Sequence, residues 1–223
     1  MKKTFWTETL PEPLPGNPLS VLSRWLSQAK DNAQQPNPNA MVLATVDAEH
    51  RPSARVVLCK EIQVEAGYIV FYSNYLSRKG GELDGNPRAA AVFHWDHVHR
   101  QARIEGTVEK LSAADSDAYF ASRPWQSRLG AWASRQSEPV ASRGALAEAV
   151  AREAKRFGIP YAGPGSAEPE GEHEVPRPPH WGGYKLIADA VELWVEGEFR
   201  IHDRARYTRK GAGAAWSATR LQP

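Results

Sequence analysis

The chain is poor in cysteine, in charge of one sign and in long apolar runs. Its single cysteine, Cys59, can close no internal disulfide and offers no second thiol for a metal site, which disfavours zinc and iron–sulfur chemistry. No apolar stretch approaches the roughly 18 residues of a membrane span. The start, Met1 to Trp6, lacks the apolar core of a signal peptide, so a cytoplasmic protein is expected. A net charge of +2 is too small to argue for nucleic acid. The positive charge is clustered, notably from Arg200 to Lys210, and such clusters suit small phosphorylated ligands equally well. What is there is a chain of 223 residues, 41% hydrophobic, without internal repeats and ordinary for one globular domain.

Residues 1–17, with Pro11, Pro13 and Pro15 and little periodicity, are expected to form a flexible arm, and residues 18–223 a single domain. Asn17-Pro18 reads as an N-cap and first helical turn, with Val21, Leu22, Trp25, Leu26 and Ala29 on one face. From residue 40 the period changes. Short runs at 41–46, 54–60, 67–73, 89–95 and 102–111 are rich in β-branched and aromatic residues and separated by turn formers. Strands so closely spaced predict a largely antiparallel sheet curled into a barrel. Ser112 to Asp115 resembles a capping box that opens a helix ending before Pro124. A second helix is expected over 142–157, then a long surface loop over 158–179. Strands over 184–195 and 199–207 should form a hairpin about Glu196-Gly197, with a last strand over 216–221.

The last quarter carries most of the functional signal. On a regular strand over 199–207, Arg200, His202 and Arg204 share one face, near Trp194, an aromatic able to wall a planar ligand. Such groups repel one another on a bare sheet, so an anionic or electron-rich partner between them is inferred. The alternative is an exposed basic edge strand. Arg55 and Lys60 bracket a strand and, five apart, should face opposite sides, unless they are only its solvated ends. Tyr72, Ser73, Arg78 and Lys79 sit where a strand runs through a polar turn into a helix. Hydroxyls, helix-start N–H groups and adjacent cations hold phosphate monoesters, although Walker spacing is absent. Tyr119, Arg123 and Ser127 are spaced by four, the first two on one helical face, with Pro124 redirecting the chain to bring in Ser127. They make either a second phosphate site or routine contacts at a helix end. Gln101 and Gln136, the latter beside Ser137, can pair through their amides with the edge of a heterocycle.

Taken together, RVVLCK (55–60), FYSNYLSRKGGEL (71–83), NPRAAAVFHW (86–95), RQARIEG (100–106), YFASRPWQSRLGAWASRQS (119–137), VPRPPHWGGY (175–184), ELW (192–194), RIHDR (200–204) and RLQP (220–223) resemble, in order and spacing, the pyridoxamine 5′-phosphate oxidase family. The match runs from about Leu19 to Pro223. It implies a mainly β, α+β fold: an FMN-binding split β-barrel of antiparallel Greek-key type, homodimeric, with flavin at the subunit interface. The implied activity is FMN-dependent oxidation of pyridoxamine or pyridoxine 5′-phosphate to pyridoxal 5′-phosphate, with O2 reduced to H2O2. Carried over by position, FMN contacts fall on Arg55, Val56, Val57, Leu58, Cys59, Lys60, Tyr72, Ser73, Arg78, Lys79, Gln101, Gln136, Ser137, Trp194 and Arg204. The substrate phosphate falls to Lys60, Tyr119, Arg123 and Ser127, and the pyridine ring to Arg200 and His202, the expected catalytic residues. No metal, nucleic acid or membrane is implied.

The chain departs from the family in two places. Residues 1–17 contain no arginine, where many members carry an arginine-rich segment that closes over substrate, and the hairpin between Lys60 and Tyr72 is slightly longer than in familiar members. Competing readings are a flavin oxidase of the phenazine-pathway branch, and a flavin- or pyridoxal-phosphate-binding protein without turnover. The Tyr119, Arg123, Ser127 set argues against the first, because a substrate without phosphate has no use for it. A nucleic-acid-binding barrel is remote, since its aromatics interleave poorly with the cations.

Overall fold

The computed structural model describes residues 8–161, 163, 166 and 169–223. Helix α1 (Pro18–Asp31) leads into strands β1 (Ala40–Val46), β2 (Pro52–Leu58), β3 (Glu61–Gln63) and β4 (Tyr68–Asn74). Helix α2 (Arg78–Gly85) and strands β5 (Arg88–Trp95) and β6 (Arg100–Lys110) follow. Next come helices α3 (Ala113–Ala121), α4 (Trp125–Ala133) and α5 (Arg143–Arg156), then strands β7 (Trp181–Val195), β8 (Asp203–Thr208) and β9 (Ser217–Leu221). The sheet order is β2-β1-β5-β6-β7-β4-β3, with β8 beside β7 and β9 beside β8. Pairing is antiparallel between β1 and both β2 and β5, and in the pairs β3/β4, β5/β6, β7/β8 and β8/β9. The expected antiparallel, mainly β architecture with flanking helices is present. Among the described residues no helix is long and apolar enough to cross a membrane. By packing, the chain divides into two compact units: Met1–Phe71, Gly85–Glu109 and Lys185–Pro223 form one, Tyr72–Asp84 and Lys110–Tyr184 the other.

In the first unit, α1 starts where the Asn17 side chain accepts the Leu19 N–H at 3.0 Å, as its sequence predicts. Its buried stripe includes Leu22, Trp25, Leu26 and Ala29, and Trp25 meets Trp95 edge-on at 6.5 Å. Trp95 stacks on Phe93, two residues back on the same face of β5, and its indole N–H donates to the Pro38 carbonyl at 2.7 Å. Strand β6 turns Ala102, Ile104, Gly106 and Val108 inward. At Gly106 any Cβ would collide with the Ile187 carbonyl oxygen, so the missing side chain is what lets the two backbones meet. Residues 1–7 of the expected arm lie outside the described residues. Leu10 is buried and donates its N–H to Asp203 at 2.7 Å, while Arg220 bonds Pro11 and Glu12 at 3.3 and 3.2 Å.

In the second unit, Ser112 accepts the Asp115 N–H at 3.0 Å to open α3, and Ser142 accepts the Ala145 N–H at 3.0 Å to open α5, both as expected. Helix α4, with Pro124 at its N-cap, was not among the expected elements. It exists because Trp125 and Leu129, one turn apart, bury against Ala154, Ile159 and Val175, with Trp132 on the margin.

Several expectations are corrected. Phe199 and Arg200 have φ of 55° and 67°, so the chain makes a 3-10 turn over Glu198–Arg200 and β8 begins only at Asp203. Left-handed residues cannot continue a pleated strand. Arg200, His202 and Arg204 therefore do not alternate on one strand face. Helix α3 ends at Ala121, which takes Arg123 off the helical face of Tyr119, and Lys60 lies beyond the end of β2. The short strand β3 was not anticipated.

Gly106→Ala should destabilise the protein by about 1–3 kcal/mol, the usual cost of overpacking, read as a lower urea midpoint. An unchanged midpoint would show that β6 and β7 can part without cost.

Candidate active site

The candidate residues fall on both units. In the second unit, β4 ends in Ser73 and Asn74, and a turn held by the Ser77 hydroxyl donating to Asn74 O at 2.7 Å leads into α2. Gly80 is required at the first turn of α2, where a Cβ would strike the Tyr75 carbonyl. This geometry buries Lys79, whose ammonium donates to Gln136 Oε1 at 2.7 Å, Ser73 Oγ at 3.0 Å and Ser77 Oγ at 3.1 Å. These three acceptors are neutral oxygens. Ser137 follows in a left-handed turn, φ 76°. Arg78 is more exposed, its guanidinium held at 2.8 Å by the buried Glu82.

The same unit contains a cavity of about 260 Å3 lined by Asn74, Arg123, Ser127, Ser134, Gln136 and Trp181, among others. Arg123 lies with its guanidinium carbon 4.6 Å from the Trp181 ring and 5.3 Å from the Phe120 ring. Its Nη1 is buried and has no hydrogen-bond partner among the described residues. Burial pulls its pKa down from the ordinary guanidinium value, opposed by Tyr119. Tyr119 stacks on Tyr72 at 3.8 Å, and both rings lie nearly parallel to Trp181. Thus Arg123, Ser127 and Gln136 share one cavity, with Tyr119 and Tyr72 linked to it through Trp181. Neither Trp181 nor Asn74 was among the sequence candidates, although WGGY (181–184) stood inside a family segment.

In the first unit, Trp194 packs against His202 with ring centroids 4.7 Å apart, and the Gly197 N–H donates to His202 Nδ1 at 3.2 Å. An accepting Nδ1 leaves Nε2 as the donor of the neutral ring. Arg200 and His202 line a cavity of about 450 Å3 together with His99, Glu196 and Phe199. Arg204 is occupied differently. Its guanidinium bonds Glu192 Oε1 at 2.8 and 3.1 Å and Gln222 O at 3.0 Å. Its anionic partner within the chain is Glu192, a buried carboxylate from the paired strand that also meets Arg103 at 3.4 Å. Glu105 continues the network, with two hydrogen bonds from Arg206 at 3.0 and 2.8 Å and one from Arg103 at 3.1 Å.

Arg55 lies back over its own sheet, donating to Leu43 O at 3.2 Å and to the hydroxyls of Thr45 and Ser53. Val56 is exposed opposite an exposed Val42, and Val57 and Leu58 are half-buried. Burial pushes the Cys59 thiol up to about 12, so it stays protonated near neutrality and donates to Glu61 O at 3.3 Å. Lys60 is exposed, its N–H donating to Val70 O at 2.8 Å. Gln101, half-buried, sits opposite His94 across β5 and β6.

A family model described as pyridoxamine 5′-phosphate oxidase matches residues 28–156, and one described as the pyridoxine 5′-phosphate oxidase C-terminal dimerisation region matches residues 181–223. The structure of PhzG from Burkholderia lata 383, in complex with tetrahydrophenazine-1-carboxylic acid, is similar with a TM-score of 0.83 at 29% identity, covering 99% of this chain and 100% of that one. A pyridoxamine 5′-phosphate oxidase-related, FMN-binding protein from Nostoc punctiforme gives a TM-score of 0.67 at 17% identity, covering 92% and 96%. The fold is that of the flavin-binding split-barrel proteins. Pyridoxine/pyridoxamine 5′-phosphate oxidases of Paraburkholderia phymatum and Maricaulis maris are 54% and 47% identical over 207 residues, covering 93% and 92% of this chain and 89% and 86% of theirs. The chain belongs to the pyridoxamine 5′-phosphate oxidase family.

Hydrogen bonding from Arg206, opposed by partial burial, holds the Glu105 carboxyl below the usual carboxylate range. A carboxyl depressed in the folded state contributes stability above its unfolded pKa of about 4.3, and loses it as pH falls through the folded value. Glu105→Gln should therefore flatten the acid limb of the stability curve below about pH 4.3, measured by urea unfolding from pH 3 to pH 7. An unaltered slope would remove Glu105 as a contributor to acid unfolding.

Proposed function

We propose that this chain oxidises pyridoxamine 5′-phosphate and pyridoxine 5′-phosphate to pyridoxal 5′-phosphate, using FMN, passing electrons to O2 to give H2O2, and acting as a homodimer. The observation that carries the reading is Arg123: a half-buried guanidinium in a small cavity, packed on rings, with one buried N–H donor unpartnered beside Ser127. A phosphate monoester supplies the charge and the acceptor that such a group lacks. The residues also fit a flavin phosphate: the Lys79 ammonium, the hydroxyls of Ser73 and Ser77 and the Gln136 amide are gathered at one place and are groups of the kind that hold a phosphate monoester.

In this reading Arg55 to Lys60, Tyr72, Ser73, Arg78, Lys79, Gln101, Gln136, Ser137, Trp194 and Arg204 hold FMN, which when bound supplies the two-electron acceptor. Lys60, Tyr119, Arg123 and Ser127 hold the substrate phosphate and so fix one end of the substrate. Arg200 and His202 hold the pyridine ring at the other. Anchoring both ends removes rotational freedom before reaction, which is the main service the protein can give. His202, with Nδ1 accepting from Gly197, has Nε2–H to donate to a ring substituent. Arg204, already paired with Glu192, holds a ligand while costing little further desolvation of its own.

The similarity to PhzG favours a second reading, oxidation of a tricyclic carboxylic acid. Such a substrate carries no phosphate and leaves the Arg123 cavity without purpose. Anaerobic titration of the flavin-loaded protein with pyridoxamine 5′-phosphate should bleach the flavin band, and air should restore it with pyridoxal 5′-phosphate formed. A band that stays unbleached with this substrate but responds to tetrahydrophenazine-1-carboxylic acid would transfer the function to the second reading. Arg123→Leu should raise KM for pyridoxamine 5′-phosphate by about 10–100-fold at normal flavin content, since hydrogen bonds to charged groups contribute roughly 1.5–3 kcal/mol.

A further inference from the structure

Trp181 belongs to none of the candidate sets, yet three of the aromatic side chains around the Arg123 cavity and Arg123 itself converge on its ring. The Tyr72 and Tyr119 rings lie 5.4 and 6.3 Å away at interplanar angles of 11° and 4°, and Phe120 meets it edge-on at 5.0 Å. Arg123 lies at 4.6 Å. The indole is held from its own backbone. Trp181 N–H donates to Pro178 O at 3.1 Å, and Trp181 O accepts from Arg177, which in turn bonds Asp117 of α3 at 2.6 Å. Gly182 and Gly183 follow, and a Cβ on either would strike Tyr75, or Leu111 and Tyr72, so the rings seat directly on the strand. The Trp181 backbone is thus tied to α3, whereas Arg123 sits beyond the end of that helix with no carboxylate partner among the described residues.

We propose that Trp181 is the positioning residue that gives this site its preference for a phosphorylated substrate, holding Arg123 by its ring face and Tyr119 through the aromatic stack. The proposal rests on the oxidase reading. A carboxylate partner would neutralise the guanidinium and occupy its fork of N–H donors. An aromatic face attracts the cation through its quadrupole and leaves the in-plane N–H groups for the ligand. The buried, unpartnered Nη1 of Arg123 is the donor left over by that arrangement.

The test uses the full-length, flavin-loaded protein with Trp181→Leu and Trp181→Phe, and reads two quantities. The first is the ratio of kcat/KM for pyridoxamine 5′-phosphate to that for pyridoxamine. The second is the affinity for inorganic phosphate by calorimetry, which needs no turnover. Trp181→Leu should lower the ratio and weaken phosphate binding about 3–30-fold, the span expected of a cation–π contact, with the loss in KM rather than kcat. Trp181→Phe should recover most of both, because it restores a ring face. An unchanged ratio and unchanged phosphate affinity in both variants would overturn the proposal. So would an equal loss for both substrates accompanied by loss of flavin, which marks a merely structural residue. If the leucine variant does not fold, the phenylalanine variant decides: its phosphate affinity should fall short of wild type by about two- to threefold, reflecting the weaker face of a phenyl ring, and parity with wild type counts against the idea. A wild-type protein that binds phosphate but leaves pyridoxamine 5′-phosphate unoxidised would sink the oxidase reading instead, and the phosphate affinities alone would then judge Trp181.

Discussion

Taking a positive charge out of water is the constraint on which most of this structure turns. It is met here in two ways. In the first, carboxylates do the work: buried Glu192 takes Arg204 and Arg103, and Glu105 takes Arg206 and Arg103, knitting β6, β7 and β8 by side chains as well as by backbone. In the second, Lys79 is met by a primary amide and two hydroxyls, and Arg123 by the faces of Trp181 and Phe120. Neutral oxygens and ring faces satisfy hydrogen bonds and packing.

Arg204 and Lys79 were both expected at flavin on equal terms. Arg204 has its counter-charge built in, so a ligand gains from it a fixed, preorganised donor. Lys79 is held by Gln136, Ser73 and Ser77, while Arg123 lies against ring faces with its Nη1 unbonded among the described residues. The surroundings are close-packed, and the glycines at 80, 182 and 183 permit the contacts that make them so.

Much of the fold was legible because it is written in short-range chemistry. Asn17-Pro18, Ser112 with Asp115, and Ser142 each announce a helix by a side chain that reaches an N–H two or three residues on, and all three do so in the structure. The strand runs of alternating burial were equally readable. Helix α4 was missed because Trp125, Leu129 and Trp132 overlap the segment whose polar residues drew attention, and their periodicity gains meaning only against Ala154, Ile159 and Val175. Family resemblance named Arg123 and Ser127, but no local pattern pointed to Trp181 as what holds Arg123, because the contact spans chain far apart in sequence. Glu192 was hidden for a related reason. It reaches Arg204 from two residues off the directly paired position on the neighbouring strand, a relation that depends on register.

In the segment from Glu196 to Asp203 the expected strand gives way to a turn. Alternation along a strand put Arg200, His202 and Arg204 on one face, but Phe199 and Arg200 take left-handed conformations that cost roughly 1–2 kcal/mol apiece. Such strain persists only where both ends are fixed. Here Glu196 donates its N–H to His99 O at 2.9 Å and its carboxylate meets the His99 ring, while Asp203 is bound by Leu10 and Arg220 at the other end. Between these clamps the turn brings Arg200 and His202 to one cavity and leaves Arg204 in the sheet with Glu192. A regular strand would have presented all three side chains on one face. The turn separates the arginine that has its own carboxylate from the two groups that line the cavity, so one short segment contributes both to the sheet and to the cavity wall.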